Sequence, residues 1–317
     1  MELFAPSVPF ASCDAERFPS VLVPVDPPAY AEGTSGWASW HTWSPGFRGL
    51  LGELIASSDP DWPPPYVQEL RPGDRYAKTF LLHPVVERDS RWQELRQELH
   101  RYAIGLVTMP RPSRVLLLTG LRDEGVPWER MRLVLAALRR SIVEIFDDQD
   151  AAYYAPLGST GPGIGGFAAH SDLYVPELLL NIFEDVPSDG SGASVFISAE
   201  SFCETLGEVP SVPRTVELKV RALLRDELQD DSFEDFYRTL YGRGVPWSEP
   251  LQAALARKQA RIVMRAGDGY LIHDRLWLHG REAPSCGVSA NRLHRLVFRH
   301  ASTGVPIHSV VQQGERS

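Results

Sequence analysis

At 317 residues the chain is long enough to bury a substantial core, and 43% hydrophobic with 23% charged residues is the profile of a folded globular chain. A formal charge of -9, with no run of Lys and Arg and no basic stripe interleaved with aromatics, removes the electrostatic footing for a nucleic-acid partner. Small-molecule partners are favoured instead, and composition leaves the oligomeric state open.

No apolar run is long enough to cross a bilayer, and residues 1–18 lack a positive region leading into an apolar stretch. A cytoplasmic protein with no membrane partner is therefore expected. Cys13, Cys203 and Cys286 are odd in number, far apart and never spaced as C-x-x-C, so free thiols are expected rather than a disulfide framework or a thiolate zinc site.

Residues 1–75 are rich in Pro and Trp (VPVDPPAY, DPDWPPPY) and weakly periodic, which predicts an extended wrap with few regular elements. From Arg91 to Val107, Trp92, Leu95, Leu99, Tyr102 and Leu106 share one helical face; Met131, Leu135, Leu138, Ile142 and Ile145 repeat the pattern in a second helix. Between them, Arg114 to Thr119 is a short apolar run that stops at Gly120, the pattern of a buried strand. Strand-like runs follow at Leu178–Phe183, Ser194–Ile197, Ala260–Met264, Tyr270–Ile272 and Leu293–Phe298, separated by Gly, Pro and Asp.

Two helices followed by mostly short strands predict an antiparallel double-sheet barrel with helices packed on one side. The charged, helical stretch Glu208 to Arg257 interrupts the strand series and reads as an insertion, with a lid as its candidate role. The expected organisation is one domain over 1–317: a wrap and helix at 1–110, a barrel core at 111–205 and 260–303, and the insertion at 206–259.

His170-Ser-Asp172 follows a glycine-rich turn, GSTGPGIGGFAA. If this piece is extended, strand alternation puts both side chains on one face, where an imidazole and a carboxylate could hold a metal. With a second, distant imidazole they make the 2-His-1-carboxylate triad that suits Fe(II) and leaves coordination positions open. A candidate for that imidazole is His279, in GDGYLIHDRLWLHGREAP, where a turn, a strand and a second tight turn lead to the histidine.

Together these segments resemble the taurine dioxygenase-like and clavaminate synthase-like branch of iron(II)/2-oxoglutarate-dependent oxygenases. The likeness runs from about Arg114 to Phe202 and from Ile262 to Arg299, including the order of ligand pair, proline, apolar strand, V-P turn and glycines in HSDLYVPELLLNIFEDVPSDGSGASVFIS. The resemblance implies a mainly β fold with flanking helices around a double-stranded β-helix (jelly-roll, cupin-like) core. It implies Fe(II) on His170, Asp172 and His279, with 2-oxoglutarate and O2 as co-substrates.

It further implies that Ser194 touches 2-oxoglutarate and that an arginine on the strand after the distal histidine binds its far carboxylate. Arg295-Leu-Val-Phe-Arg299 repeats the family's R-x-x-x-R spacing, which makes Arg295 the first candidate. Arg295 lies farther from His279 than the family pattern expects, which leaves Arg292, on the opposite strand face, as a competitor; at least one of Arg292, Arg295 and Arg299 is expected at the surface.

By the same resemblance the reaction is oxidation, most often hydroxylation, of a C–H bond in a small molecule such as an amino acid or an intermediate of natural-product biosynthesis, with succinate and CO2 released. Asp172 argues against the related halogenases, which have a small residue there. Desaturation or ring closure remains open. So do a catalytically silent barrel used as a binding module, and a zinc hydrolase, which would leave Ser194 and the strand arginine without a task.

His273 and His294 are expected to pack or to support ligands rather than bind metal, and the resemblance implies that Asp274 and Arg281, which match family positions, hold the turn around His279. The glycines at 158–166 lack the G-K-[ST] ending of a phosphate loop, and the acidic run from Asp226 to Asp235 reads as a solvated helix face.

Overall fold

The structure is a computed structural model, and it describes residues 21–31, 33–57, 61–69, 78–121, 127–158, 166–172, 177–225, 233–285 and 292–301. Most of the glycine loop, most of the acidic run, Cys13 and Cys286 lie outside these residues. Cys203 is buried and carries no disulfide.

In the first part of the chain, strands β1 (Leu22–Pro24) and β2 (Ala38–Trp43) precede helix α1 (Pro45–Ser57), a ribbon of β3 (Tyr66–Glu69) and β4 (Lys78–Leu81), and the single turn α2 (Pro84–Glu87). Then come helix α3 (Ser90–Thr108), strand β5 (Val115–Thr119), helix α4 (Trp128–Phe146), and strands β6 (Ala152–Gly158), β7 (Phe167–His170), β8 (Leu178–Phe183) and β9 (Ser194–Ser198). Helices α5 (Ala199–Glu208), α6 (Arg214–Leu224), α7 (Phe233–Tyr241) and α8 (Ser248–Ala256) form the insertion, and β10 (Ala260–Ile262), β11 (Gly269–His273), β12 (Trp277–Arg281) and β13 (Arg292–Phe298) complete the described elements.

The strands build a seven-stranded sheet in the order β1-β2-β5-β11-β8-β13-β6 and a four-stranded sheet in the order β10-β9-β12-β7. Pairing is antiparallel throughout except for β2 and β5, which run parallel. The two sheets face each other: Phe196 of β9 meets Tyr270 of β11 edge-to-face with ring centroids 4.9 Å apart, and Leu179, Ile272 and Val297 join them in one apolar cluster.

Alternation along the strands sends the remaining residues outward. Leu178, Leu180, Ile182, Leu271, Leu296 and Phe298 leave the large sheet on its other face and pack with α3 and α4. Every residue of β8 is buried for this reason. On the small sheet Ala169, Ile197 and Leu278 point away from the sandwich and pack with residues of α5, α6, α7 and α8. Helices therefore clothe both outer faces, not one as the pattern predicted. The insertion's apolar face is the reason, because the small sheet would otherwise expose its outer residues.

Local signals explain the helix ends. Asp89 accepts a hydrogen bond from the Arg91 amide at the start of α3, Ser198 accepts one from the Ser201 amide at the start of α5, and α4 ends at Asp147 in the left-handed region (φ 49°). The faces read from sequence are the buried ones: Met131, Leu135, Leu138, Ile142 and Ile145 in α4, and Trp92, Leu99, Tyr102 and Leu106 in α3, with Leu95 partly buried.

The described residues between 21 and 69 depart from the expected wrap. β2 is an integral strand of the large sheet, paired from Ala38↔Val115 to Thr42↔Thr119, and α1 packs its Phe47, Leu50, Leu51 and Leu54 into the core under α3 and α4. Trp43 and Phe47 stack at 4.4 Å between centroids. The aromatic residues that disguised this segment are what bury it.

Because α4 closes the large sheet's outer face, truncating Leu138 at its centre removes packing without touching the inner face. Leu138→Ala is expected to destabilise the fold by about 3 kcal/mol, seen as a lower urea midpoint with an unchanged slope and unchanged metal binding.

Candidate metal centre

His170 closes β7 and His279 lies in the middle of β12, and the two are directly opposite each other across that antiparallel pair. Their ring centroids are 4.6 Å apart. β7 ends at His170, so Asp172 is beyond the strand and not on its alternation, yet its carboxylate returns to the same point: Oδ1 is 3.5 Å from His170 Nε2 and Oδ2 is 3.7 Å from His279 Nε2. One donor atom from each of His170, Asp172 and His279 lies within 4.8 Å of the others, and all three residues are buried. Donors on adjacent positions of an octahedron of ~2.1 Å bonds stand about 3 Å apart, so a metal fits with a small contraction.

The neighbours hold these side chains in the ligand form. The Ala168 carbonyl, 2.8 Å from His170 Nδ1, can only accept, which puts a proton on Nδ1 and makes Nε2, on the Asp172 side, the candidate ligating nitrogen. Burial keeps the His279 imidazole well below its ordinary pKa and hence neutral. Burial alone would raise the Asp172 carboxyl, but the Arg295 guanidinium, then His170 and His279, outweigh it and hold the group well below the usual carboxylate range.

Asp274 explains why Asp172 returns. Its Oδ2 accepts from the Ser171 hydroxyl at 3.0 Å, its Oδ1 accepts from the Asp172 amide at 3.2 Å, and Oδ1 is 3.7 Å from His279 Nδ1. Buried, and beside the Asp172 charge, the Asp274 carboxyl is pushed up to about 6. It thus does more than hold the turn before His279: it ties the two ligand segments together.

Of the candidate arginines, Arg295 alone turns to the triad. Its Nη1 donates to Asp172 Oδ2 at 2.7 Å, its Nε donates to Asn181 Oδ1 at 3.1 Å, and Nη2 is 3.4 Å from His279 Nε2. Arg292, on the opposite strand face, is exposed with Glu184 3.6 Å away, and Arg299 lies past the end of β13, where it pairs with Asp148 at 2.8 Å. Ser194 is buried at the start of β9, opposite Arg281 of β12 in register.

His273 and His294 stand off the centre. His273 Nε2 is 3.3 Å from Glu177, and His294 is stacked on Trp128 between Tyr154 and Glu184, each 2.8 Å away, where burial lowers its pKa to about 4. Sequence reasoning passed over Asn181, which binds both Arg295 and the Tyr270 hydroxyl. One signal for it exists: a lone amide within the apolar run LLLNIF. It also passed over α7, whose Tyr237 and Tyr241 hydroxyls bond the Ala168 amide and the Ala169 carbonyl of β7, with the Tyr237 ring 5.7 Å from that of His170.

No family model matches the chain, and no curated protein matches it. Among solved structures, asparagine oxygenase (AsnO) is 13% identical with a TM-score of 0.42, covering 82% of this chain and 92% of its own. The non-heme iron oxygenase OrfP is 15% identical with a TM-score of 0.35, covering 82% and 93%, and its complex with Fe, succinate and (3R,4R)-dihydroxy-L-Arg is 15% identical with a TM-score of 0.36 over the same shares. At these values the functional reading rests on the chain's own residues.

The close approach of β7 to β12 depends on Gly280. A Cβ there would sit 2.5 Å from the Phe167 carbonyl oxygen, 3.0 Å from Val195 Cγ2 and 3.1 Å from the Ala168 carbonyl carbon. Gly280→Ala is therefore expected to push β7 away and weaken Fe(II) or Mn(II) binding by about tenfold or more, read by metal titration on protein that remains folded by circular dichroism.

Proposed function

We propose that the chain is a non-haem iron(II) oxygenase that couples decarboxylation of 2-oxoglutarate to oxidation of a C–H bond in a small molecule, most simply hydroxylation. The observation that carries this reading is the buried convergence of two imidazole donors and one ionised carboxylate between the two sheets. This donor set binds Fe(II) on one face and leaves the other face for co-substrate and O2. The two sheets are then the halves of a double-stranded β-helix, with the ligands on the inner face of the smaller one.

When bound, Fe(II) would supply the redox chemistry by which O2 and 2-oxoglutarate become CO2 and succinate, with the second oxygen atom inserted into the substrate C–H bond. The chain's own residues set the conditions. His170 is oriented by the Ala168 carbonyl, and Asp172 by Asp274 and Arg295. Arg295 supplies a cation for the co-substrate carboxylate, and Ser194 supplies a hydroxyl from the inner face of the small sheet. Phe196, Tyr270, Ile272 and Val297 exclude water beside them. The substrate is a free small molecule such as an amino acid.

The test is succinate formation from 2-oxoglutarate by Fe(II)-loaded protein with ascorbate and a panel of free L-amino acids, read with the mass of the product. A gain of one oxygen identifies hydroxylation, and a loss of two hydrogens identifies desaturation. Asp172→Ala is expected to lower Fe(II) affinity and succinate formation by about 100-fold or more and to abolish the weak visible band of the Fe(II)·2-oxoglutarate complex. Unchanged metal affinity in that variant would remove the reading.

A further inference from the structure

Phe167 faces a side of the sheet that its place in the sequence would not give it. On a regular strand, residues three apart point to opposite faces, so Phe167 would turn away from the face that His170 serves. The pairing is not regular. Between His279↔His170 and Arg281↔Phe167, β12 advances two residues while β7 advances three, which is a β-bulge at Ala168 and Ala169. Residues directly opposite each other across a strand pair share a face. His279 is paired with Phe196, which meets Tyr270 across the sandwich, so His279, Arg281 and, through the bulge, Phe167 all face inward.

The bulge is held on every side. Tyr237 and Tyr241, one turn apart on α7, bond its Ala168 amide at 3.3 Å and its Ala169 carbonyl at 2.7 Å, while the Ala168 carbonyl takes His170 Nδ1 at 2.8 Å. Close packing pins the backbone on β12: a Cβ on Gly166 would lie 2.4 Å from the Arg281 carbonyl oxygen, and a Cβ on Gly280 would lie 2.5 Å from the Phe167 carbonyl oxygen. A bulge beside a site re-aims a side chain, and the side chain re-aimed here is Phe167.

Its ring comes to 6.1 Å from that of His170 and 6.4 Å from that of Tyr237, which crosses it at 69°; Tyr237 stands 5.7 Å from His170 at 80°. The three rings form a corner with a candidate metal ligand at its back. Phe167 is nevertheless 43% exposed. A ring left nearly half in water forgoes about 1 kcal/mol of burial, which a ligand packed on it recovers. Single exposed aromatics need no explanation, but one turned inward by a bulge and set against a candidate metal ligand is placed to touch what binds there.

The chemistry of the corner selects its occupant. Two rings set nearly at right angles offer a face and an edge to an apolar or aromatic group. Arg281, directly opposite Phe167, puts a positive charge beside the corner and disfavours a cationic one. We propose that Phe167 and Tyr237 form a wall that receives an uncharged apolar group of the substrate, and so are specificity-determining residues of the centre. The wall deepens the oxygenase reading and rests on it for the bond that reacts.

The experiment uses 4-fluorobenzyl alcohol as the probe, read by fluorine NMR, with wild type, Phe167→Ala and Phe167→Leu. In protein prepared without metal, the probe is expected to bind wild type, to lose affinity by about tenfold in Phe167→Ala and to keep part of it in Phe167→Leu. 4-Fluorobenzylammonium, the same ring carrying a cation, is expected to bind wild type more weakly. Mn(II) then locates the probe, because a paramagnetic ion at the centre relaxes only fluorine nuclei held near it. Wild type is expected to show this extra relaxation and Phe167→Ala to lose it.

Equal alcohol binding by wild type and Phe167→Ala, a preference for the ammonium, or bound Mn(II) that leaves the probe unrelaxed would each overturn the wall. Failure of wild type to bind Mn(II), read on the relaxation of water, would strike the oxygenase reading and leave the wall to be decided by the titration without metal.

Discussion

The site depends on one strand pair. His170 can meet His279 only because β7 lies against β12 in a register that sets the two residues opposite each other, and among the described residues β7 is an edge strand with only β12 to hydrogen-bond it within its sheet. Edge strands are the mobile and slippery parts of sheets. Here the free side of β7 is occupied by α7, whose Tyr237 and Tyr241 hydroxyls take up the Ala168 amide and the Ala169 carbonyl. The insertion thereby has a structural task at the candidate metal centre: it fixes the strand that ends in His170, while α5, α6 and α8 pack with it against the small sheet's outer face.

The two neighbouring buried carboxylates are pushed in opposite directions, and that divides their labour. Asp172 has a guanidinium and two imidazoles around it and stays ionised; Asp274 is buried with the Asp172 charge beside it and, among the described residues, no cation in hydrogen-bond reach, and its carboxyl rises to about 6. A metal ion placed between His170, Asp172 and His279 would relieve both, because it draws negative charge from Asp172 that Asp274 now opposes.

Much of this was legible in the sequence, for identifiable reasons. β8, β9, β11 and β13 are short apolar runs between Gly, Pro and Asp turns, and their boundaries fall within a residue or so of the pattern; β10 stops two residues short, at Ile262. The convergence of His170, Asp172 and His279 was legible from H-x-D and the distant histidine. Less so were elements whose composition contradicts their place: β2, ASWHTW, is half polar yet central enough to pair with β5, and α1, PGFRGLLGELIAS, opens on Pro-Gly after a proline-rich stretch. Alternation also failed just where the chain leaves a strand. Asp172 and Arg299 each lie past the last strand residue, so one returned to the site through Asp274 while the other turned away to Asp148.

Helices on both outer faces leave the inner face as the place where a polar side chain needs a reason. Along most of it the residues are Leu179, Phe183, Phe196, Ile272, Trp277 and Val297, and the reason for them is packing. The exceptions gather together: His170, Asp172 and His279, the Asn181 that ties Arg295 to Tyr270, and then Arg281 facing Ser194. The first three bring two imidazoles and a carboxylate within 4.8 Å of one another. Since a fold gains nothing from burying polar groups that only face one another, the reason for these three is a cation held between them, which is the proposed iron.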